Sequence, residues 1–144
     1  MAQLFLMAFI AIAPWILPRS AGLSDGGGWR VAGVVLLLIG GAGGALAALR
    51  LGTNLTPFPR PRPRGVLVTT GPYAVVRHPI YAAVMALAFG WALVWGSLPT
   101  LGGATALLLL FDLKSRREER WLVDRFPEYP GYQRRVRKLI PFIY

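Results

Sequence analysis

Long uncharged stretches alternate with short clusters of charge along this chain. Residues 1–18, 31–49 and 79–111 contain no Asp, Glu, Lys or Arg. Each approaches or exceeds the roughly 20 apolar residues that carry a helix across a bilayer. The pattern predicts an all-α integral membrane protein with about four transmembrane helices. The 33 residues of the third run would span about 50 Å as one helix, against a hydrocarbon core of about 30 Å, so this run must fold back. Gly96 and Ser97 permit a tight turn, and Pro99 suits the start of a returning helix. A helical hairpin over 79–113 follows, formed by helices 3 and 4. Its two ends, Arg77-His78 and Asp112, emerge on the same side.

The first run has Ala11 and Ala13 where a secretory signal would be cleaved, but it lacks the basic n-region of such signals. It reads as a first transmembrane helix, with Pro14 a kink site and Trp15 near an interface. The SDGGG stretch at 24–28 marks a turn. A second helix spans about 29–51, and its Gly40 and Gly44 form a GxxxG pair on a smooth face that admits a close neighbour. That neighbour is either another helix of this chain or a second copy, which leaves a homo-oligomer through the glycine-rich helix open. The alternation of Pro59, Arg60, Pro61, Arg62, Pro63 and Arg64 cannot be helical and favours an extended linker, lying on headgroups or covering a site. After Asp112 the pattern stays helix-compatible to about Phe126, with Asp112 and Arg116 at i,i+4. The chain thus divides into two N-terminal helices (1–51), a Pro/Arg-rich connection (52–78), the hairpin (79–113) and a tail (114–144), all within one membrane domain.

Composition sharpens this picture. Hydrophobic residues make up 55% of the chain and charged ones 15%, clustered rather than interspersed, which argues against an ordinary soluble globule. The net charge of +10 flanks apolar spans, as anionic headgroups require, and does not point to nucleic acid. Residues 50–77 hold five Arg and the tail after Phe111 nine Lys or Arg, against Arg19 and Arg30 on the opposite face. The positive-inside rule then places both termini, the 50–77 connection and the tail in the cytoplasm. A prokaryotic inner membrane is the expected location. With no cysteine and a single histidine, a thiolate or multi-histidine metal site within the chain is excluded.

The candidate chemistry centres on GPYAVVRHPIY at 71–81. Pro79 suits the first turn of helix 3, which puts Arg77 and His78 at a helix mouth whose unpaired N–H groups favour an anionic ligand group. Such a pair also serves as a plain interfacial anchor. Glu118 and Glu119 would lie a turn or two above His78, as a cation-binding pair or as a solvated helix face.

In order, GPYAVVRHPIY, a hairpin, EERWL at 118–122 and FPEYPGYQRRVRKLIPFIY at 126–144 resemble the integral membrane methyltransferases of the isoprenylcysteine carboxyl methyltransferase and phospholipid N-methyltransferase type. The resemblance covers 52–144. It implies S-adenosylmethionine as methyl donor, bound on the cytosolic side, and a lipid-like or prenylated acceptor (carboxylate, amine or thiol) arriving from the bilayer. The implied donor site draws on Tyr73, Arg77, His78, Pro79, Tyr81, Glu118, Glu119, Tyr129 and Tyr132. Glu118 or Glu119 would meet the ammonium, Arg77 and His78 the carboxylate, and the tyrosines the adenine or sulfonium. Arg135 aligns with a basic position near the acceptor in the carboxyl methyltransferases, the catalytic assignment here; otherwise it is one more interfacial arginine. The ending KLIPFIY also resembles membrane sterol reductases, which use NADPH, although the chain is short for one. The smooth face of helix 2 would suit a non-enzymatic assembly protein.

Overall fold

A computed structural model describes residues 2–17, 27–52 and 66–144. Most of the 24–28 turn and the whole Pro/Arg alternation at 59–64 lie outside the described residues. The described residues form five α-helices and no strand: α1 (Ala2–Ile16), α2 (Gly27–Leu51), α3 (Pro79–Trp95), α4 (Leu98–Arg125) and the short α5 (Tyr129–Arg135). A 3₁₀ turn at Gly71–Ala74 precedes α3. By length and composition α2 is the one described helix able to cross a membrane unaided, with 25 residues and a mean hydropathy of 2.2. The apolar helices α1 and α3 are shorter, at 15 and 17 residues. In α4, 28 residues long, an apolar first half gives way to charge at Asp112. Tertiary contacts group into two compact units, Met1–Ala42 with Ala83–Phe111, and Gly43–Ala82 with Asp112–Tyr144.

In the first unit the break inside the 33-residue run falls where Gly and Pro placed it. Gly96 has φ +59°, a left-handed backbone that costs a side chain steric energy and glycine almost none. Its N–H donates to Leu93 O at 3.2 Å and that of Ser97 to Ala92 O at 3.1 Å, the paired bonds that close a helix end in a Schellman motif. Ser97 then opens α4. Its Oγ accepts from Thr100 N at 3.3 Å and from Thr100 Oγ1 at 2.7 Å, satisfying a first-turn donor.

Helices α2 and α3 pack almost backbone to backbone. A Cβ on Gly33 would stand 2.8 Å from Gly90 O, one on Gly90 2.8 Å from Gly33 O, and one on Gly40 2.9 Å from Ala83 O. Small residues permit this approach, which brings the two backbones into dispersion contact. Gly40 is thus engaged within the chain, and Gly33 shares the contact with α3. Gly41 and Gly43 face open space. A cavity of about 250 Å³ lies among Met7, Ile10, Leu37, Leu87, Trp91 and Leu107.

Candidate active site

The second unit assembles its polar side chains around the N-terminus of α3. Gly71, at φ +62°, turns the chain into the 3₁₀ turn, whose Pro72 O accepts from Val75 N and Val76 N at 3.1 and 3.2 Å. The next residues run beside the tail. Val76 forms a parallel bridge with Arg137, Arg77 N donates to Arg137 O at 2.8 Å and His78 N to Lys138 O at 3.1 Å. His78 is the N-cap of α3, since its carbonyl accepts from Ala82 N at 3.0 Å and Pro79 follows it. The tail carbonyls therefore occupy backbone donors at this mouth that the sequence left open for a ligand.

The side chains of the motif meet those of α4, some 40 residues on. Arg77 Nε donates to Glu119 Oε1 at 2.8 Å. Its Nη1 donates to Gln133 O at 3.0 Å and to Val136 O. His78 Nε2 stands 3.1 Å from the same Glu119 oxygen, and Gln133 Nε2 donates to Glu119 Oε2 at 2.9 Å. Glu119 is 7% exposed. This overturns the solvated-face reading of the Glu pair and the plain-anchor reading of Arg77-His78. It also differs from an arrangement in which basic and acidic residues wait separately for the two ends of a donor, because Arg77 and Glu119 are engaged with each other.

Glu118 is placed differently. Tyr81 donates to its Oε1 at 2.5 Å, while its Oε2 stands 3.6 Å from His78 Nδ1, beyond hydrogen-bond reach. The His78 and Tyr81 rings stack at 5.5 Å with 6° between planes, and Lys114 Nζ lies 5.1 Å from the Tyr81 ring centre. The two carboxylates titrate in opposite directions. Burial raises Glu119, but hydrogen bonds from His78 and Arg77 and their charges outweigh it and hold the carboxyl at about 2. Burial also raises Glu118; the Tyr81 hydrogen bond and the charges of His78 and Lys114 oppose this without overcoming it, and the carboxyl stays above its ordinary value.

Three tyrosines close the cluster. Tyr132 donates to Tyr73 O, and its ring meets that of Tyr129 edge-on at 5.7 Å. Burial pushes the Tyr73 and Tyr132 hydroxyls up to about 12 and Tyr129 higher still, so all three remain neutral donors at physiological pH. Tyr129, 1% exposed, makes no hydrogen bond of ordinary geometry through its hydroxyl among the described residues, although the Arg77 guanidinium lies near it. Arg135 ends α5, exposed and apart from this buried group.

A second ion cluster was foreseen from the sequence only in its Asp112–Arg116 pair. Asp112 Oδ1 accepts from Lys138 Nζ at 2.6 Å and from Tyr144 Oη at 2.7 Å, and its Oδ2 from Arg116 Nε at 2.8 Å. Gln133 was missed too. A lone glutamine between a tyrosine and two arginines carries no signal until the fold brings it to Glu119.

The chain belongs to the phospholipid methyltransferase family, whose profile matches residues 29–129. The structure is similar to that of the eukaryotic intramembrane Ras methyltransferase ICMT, isoprenylcysteine carboxyl methyltransferase, with a TM-score of 0.76 and 25% identity over 99% of this chain and 51% of that one. The chain is also 36% identical over 81 residues to the cobalt-zinc-cadmium resistance protein CzcN of Cupriavidus metallidurans, covering 56% of this chain and 38% of that protein. The nickel-cobalt-cadmium resistance protein NccN of Alcaligenes xylosoxydans xylosoxydans is 36% identical over 77 residues, 52% and 36% of the respective chains. The chain thus spans about half the length of the solved relative and little over a third of the two resistance proteins. Its family and its fold are those of membrane methyltransferases.

Proposed function

We propose that this protein is a membrane-embedded methyltransferase that uses S-adenosylmethionine and methylates an amphiphilic, lipid-like or prenylated acceptor. The observation that carries the reading is the buried Arg77–His78–Glu118–Glu119 cluster with its tyrosine walls, in a chain of the phospholipid methyltransferase family. When bound, S-adenosylmethionine supplies a methyl group activated by a sulfonium. The residues fit such a group at its cationic end. Glu118 offers its Oε2, which His78 Nδ1 approaches only to 3.6 Å, and the buried Tyr129 hydroxyl has hydrogen-bonding capacity to spare. Tyr81, Tyr129 and Tyr132 provide ring faces for a cation or a purine.

In this reading Glu118 holds the ammonium and Glu119 keeps Arg77, His78 and Gln133 in place. An acceptor that is already nucleophilic needs alignment and exclusion of water rather than a protein nucleophile. Arg135 would orient an anionic acceptor group at the exposed end of α5. Four crossings by α1 to α4 with both termini cytoplasmic, in a bacterial inner membrane, would put the cluster at the cytosolic face, where a water-soluble donor and a bilayer-borne acceptor can meet.

The test is purified protein in lipid nanodiscs, measured for binding of labelled S-adenosylmethionine and of NADPH, with methyl transfer into a membrane lipid extract. Micromolar binding of the sulfonium, none of the nucleotide and label in the lipid fraction are expected. Binding of NADPH alone would overturn the assignment in favour of a reductase. Binding of neither would favour a non-enzymatic role.

A further inference from the structure

The last five residues of the sequence form a closed turn whose side chains the proposed chemistry does not use. Leu139 N and Ile140 N both donate to Tyr144 O at 2.7 Å, and Ile143 N and Tyr144 N donate back to Ile140 O at 3.2 and 3.1 Å. At its tip Phe142 adopts φ 65°, a left-handed conformation in which glycine is the unstrained choice. The chain nevertheless keeps a large apolar side chain there and leaves it 89% exposed, beside Ile143 at 76%.

The turn is not loose. Tyr144 Oη and Lys138 Nζ both donate to Asp112 Oδ1, and Arg116 Nη2 reaches Tyr144 Oη at 3.4 Å. Asp112 is the first charged residue after the 33-residue uncharged run, so these bonds fix the turn at the level where the apolar part of α4 ends. Leu113, 66% exposed, is the next residue of α4, and Arg116, one turn further on, and Arg137, the neighbour of Lys138, are exposed basic residues. An apolar tip rimmed by exposed cations has the chemistry of an anionic lipid surface, with acyl chains beneath and phosphates around.

We propose that the 140–144 turn is a membrane-inserting tip, in which Phe142 and Ile143 enter the boundary between headgroups and acyl chains while Arg116 and Arg137 meet anionic lipid phosphates. The inference rests on the reading that the chain is a membrane protein. It gives the tail a lipid-facing end rather than a wholly aqueous one. Because Arg137 and Lys138 also supply the carbonyls that bond Arg77 N and His78 N, the inserted tip would set the height of the site above the bilayer.

The chain has no cysteine, so single Cys variants report without background. Phe142→Cys, Ile143→Cys, Leu38→Cys and Arg120→Cys, each spin-labelled in vesicles of phosphatidylcholine and phosphatidylglycerol, are compared for collision with oxygen and with a water-soluble nickel chelate. Leu38, 67% exposed on α2, is the bilayer control; Arg120, exposed on the charged half of α4, is the aqueous one. Labels at 142 and 143 should favour oxygen over nickel as Leu38→Cys does, at shallower depth. If they match Arg120→Cys while Leu38→Cys reports lipid, the tip does not insert and the membrane reading survives. Protection from both reagents would show a protein contact, with a second copy or another chain, and would also overturn the proposal. A Leu38→Cys label open to nickel would instead sink the membrane reading itself.

Discussion

Two adjacent glutamates, one residue apart on α4, have opposite energetic roles. Glu119 has a folded-state value of about 2 against an ordinary 4.5. Its stabilisation is therefore complete above about pH 4.5 and is lost as pH falls toward about 2. Glu119→Gln should lower stability by about 3 kcal/mol at neutral pH, the range for breaking a buried ion pair, and should flatten the acid limb of the unfolding profile. Thermal melts of both proteins across pH check this. Glu118 has the reverse sign. With its folded value raised, it favours folding only at low pH, and that contribution fades as pH rises through the folded value. Glu118→Gln should leave neutral-pH stability unchanged or slightly higher while weakening S-adenosylmethionine binding by about 1–3 kcal/mol, the worth of a charge-assisted hydrogen bond. If both substitutions act alike on melting and on donor affinity, the division of labour between them is wrong.

Among the elements, the α3–α4 connection depends on two residues with separate tasks. Gly96→Ala places a Cβ in a left-handed conformation and Ser97→Ala removes the cap on α4; each should cost about 1 kcal/mol in denaturant melts. Gly90→Leu should cost more than either, because its side chain would meet Gly33 O and the α2 backbone within 3.0 Å. Crossing of the bilayer by α4 is tested with thiol reagents in oriented vesicles. Leu98→Cys and Arg120→Cys, both exposed, should label from opposite sides, and same-side labelling would remove the hairpin from the membrane. This connection was legible in the sequence because an uncharged run too long for one crossing has to turn, and Gly96 to Pro99 offered the place. The register of α2 on α3 was not. Several glycines on α2 presented equally smooth faces, and it is the small residues Gly90 and Ala83 on the partner helix that select Gly33 and Gly40. The motif residues could be gathered by resemblance and by the shared side of the hairpin ends, but the bonding among them could not. Arg77 and Glu119 are 42 positions apart, and nothing local in either segment says that they neutralise each other rather than a ligand.

At the scale of the whole molecule, turnover should separate the arginines of α5 and the tail. Arg135→Ala should reduce methyl transfer sharply with donor affinity near wild type, Arg135→Lys should be impaired as well, and Arg134→Ala and Arg137→Ala should be weak. A positioned guanidinium grips a carboxylate or phosphate at two points, whereas a headgroup contact is worth about 1 kcal/mol wherever it lies. Equal effects at all three positions, measured by labelled-methyl transfer alongside donor binding, would withdraw Arg135 from the acceptor. The pairing of Arg77 N and His78 N with the carbonyls of Arg137 and Lys138 also bears on how the protein is made. A ribosome delivers residue 78 long before residue 138, so the mouth of α3 has to enter or reach the membrane with those donors still held by water. The cluster can form only once about sixty further residues have emerged and the hairpin has closed. A nascent chain stalled before Arg137 leaves the ribosome should therefore carry its helices in place and yet bind no donor, so that, on the proposed function, S-adenosylmethionine binding would report whether residues 137 and 138 have reached the mouth of α3.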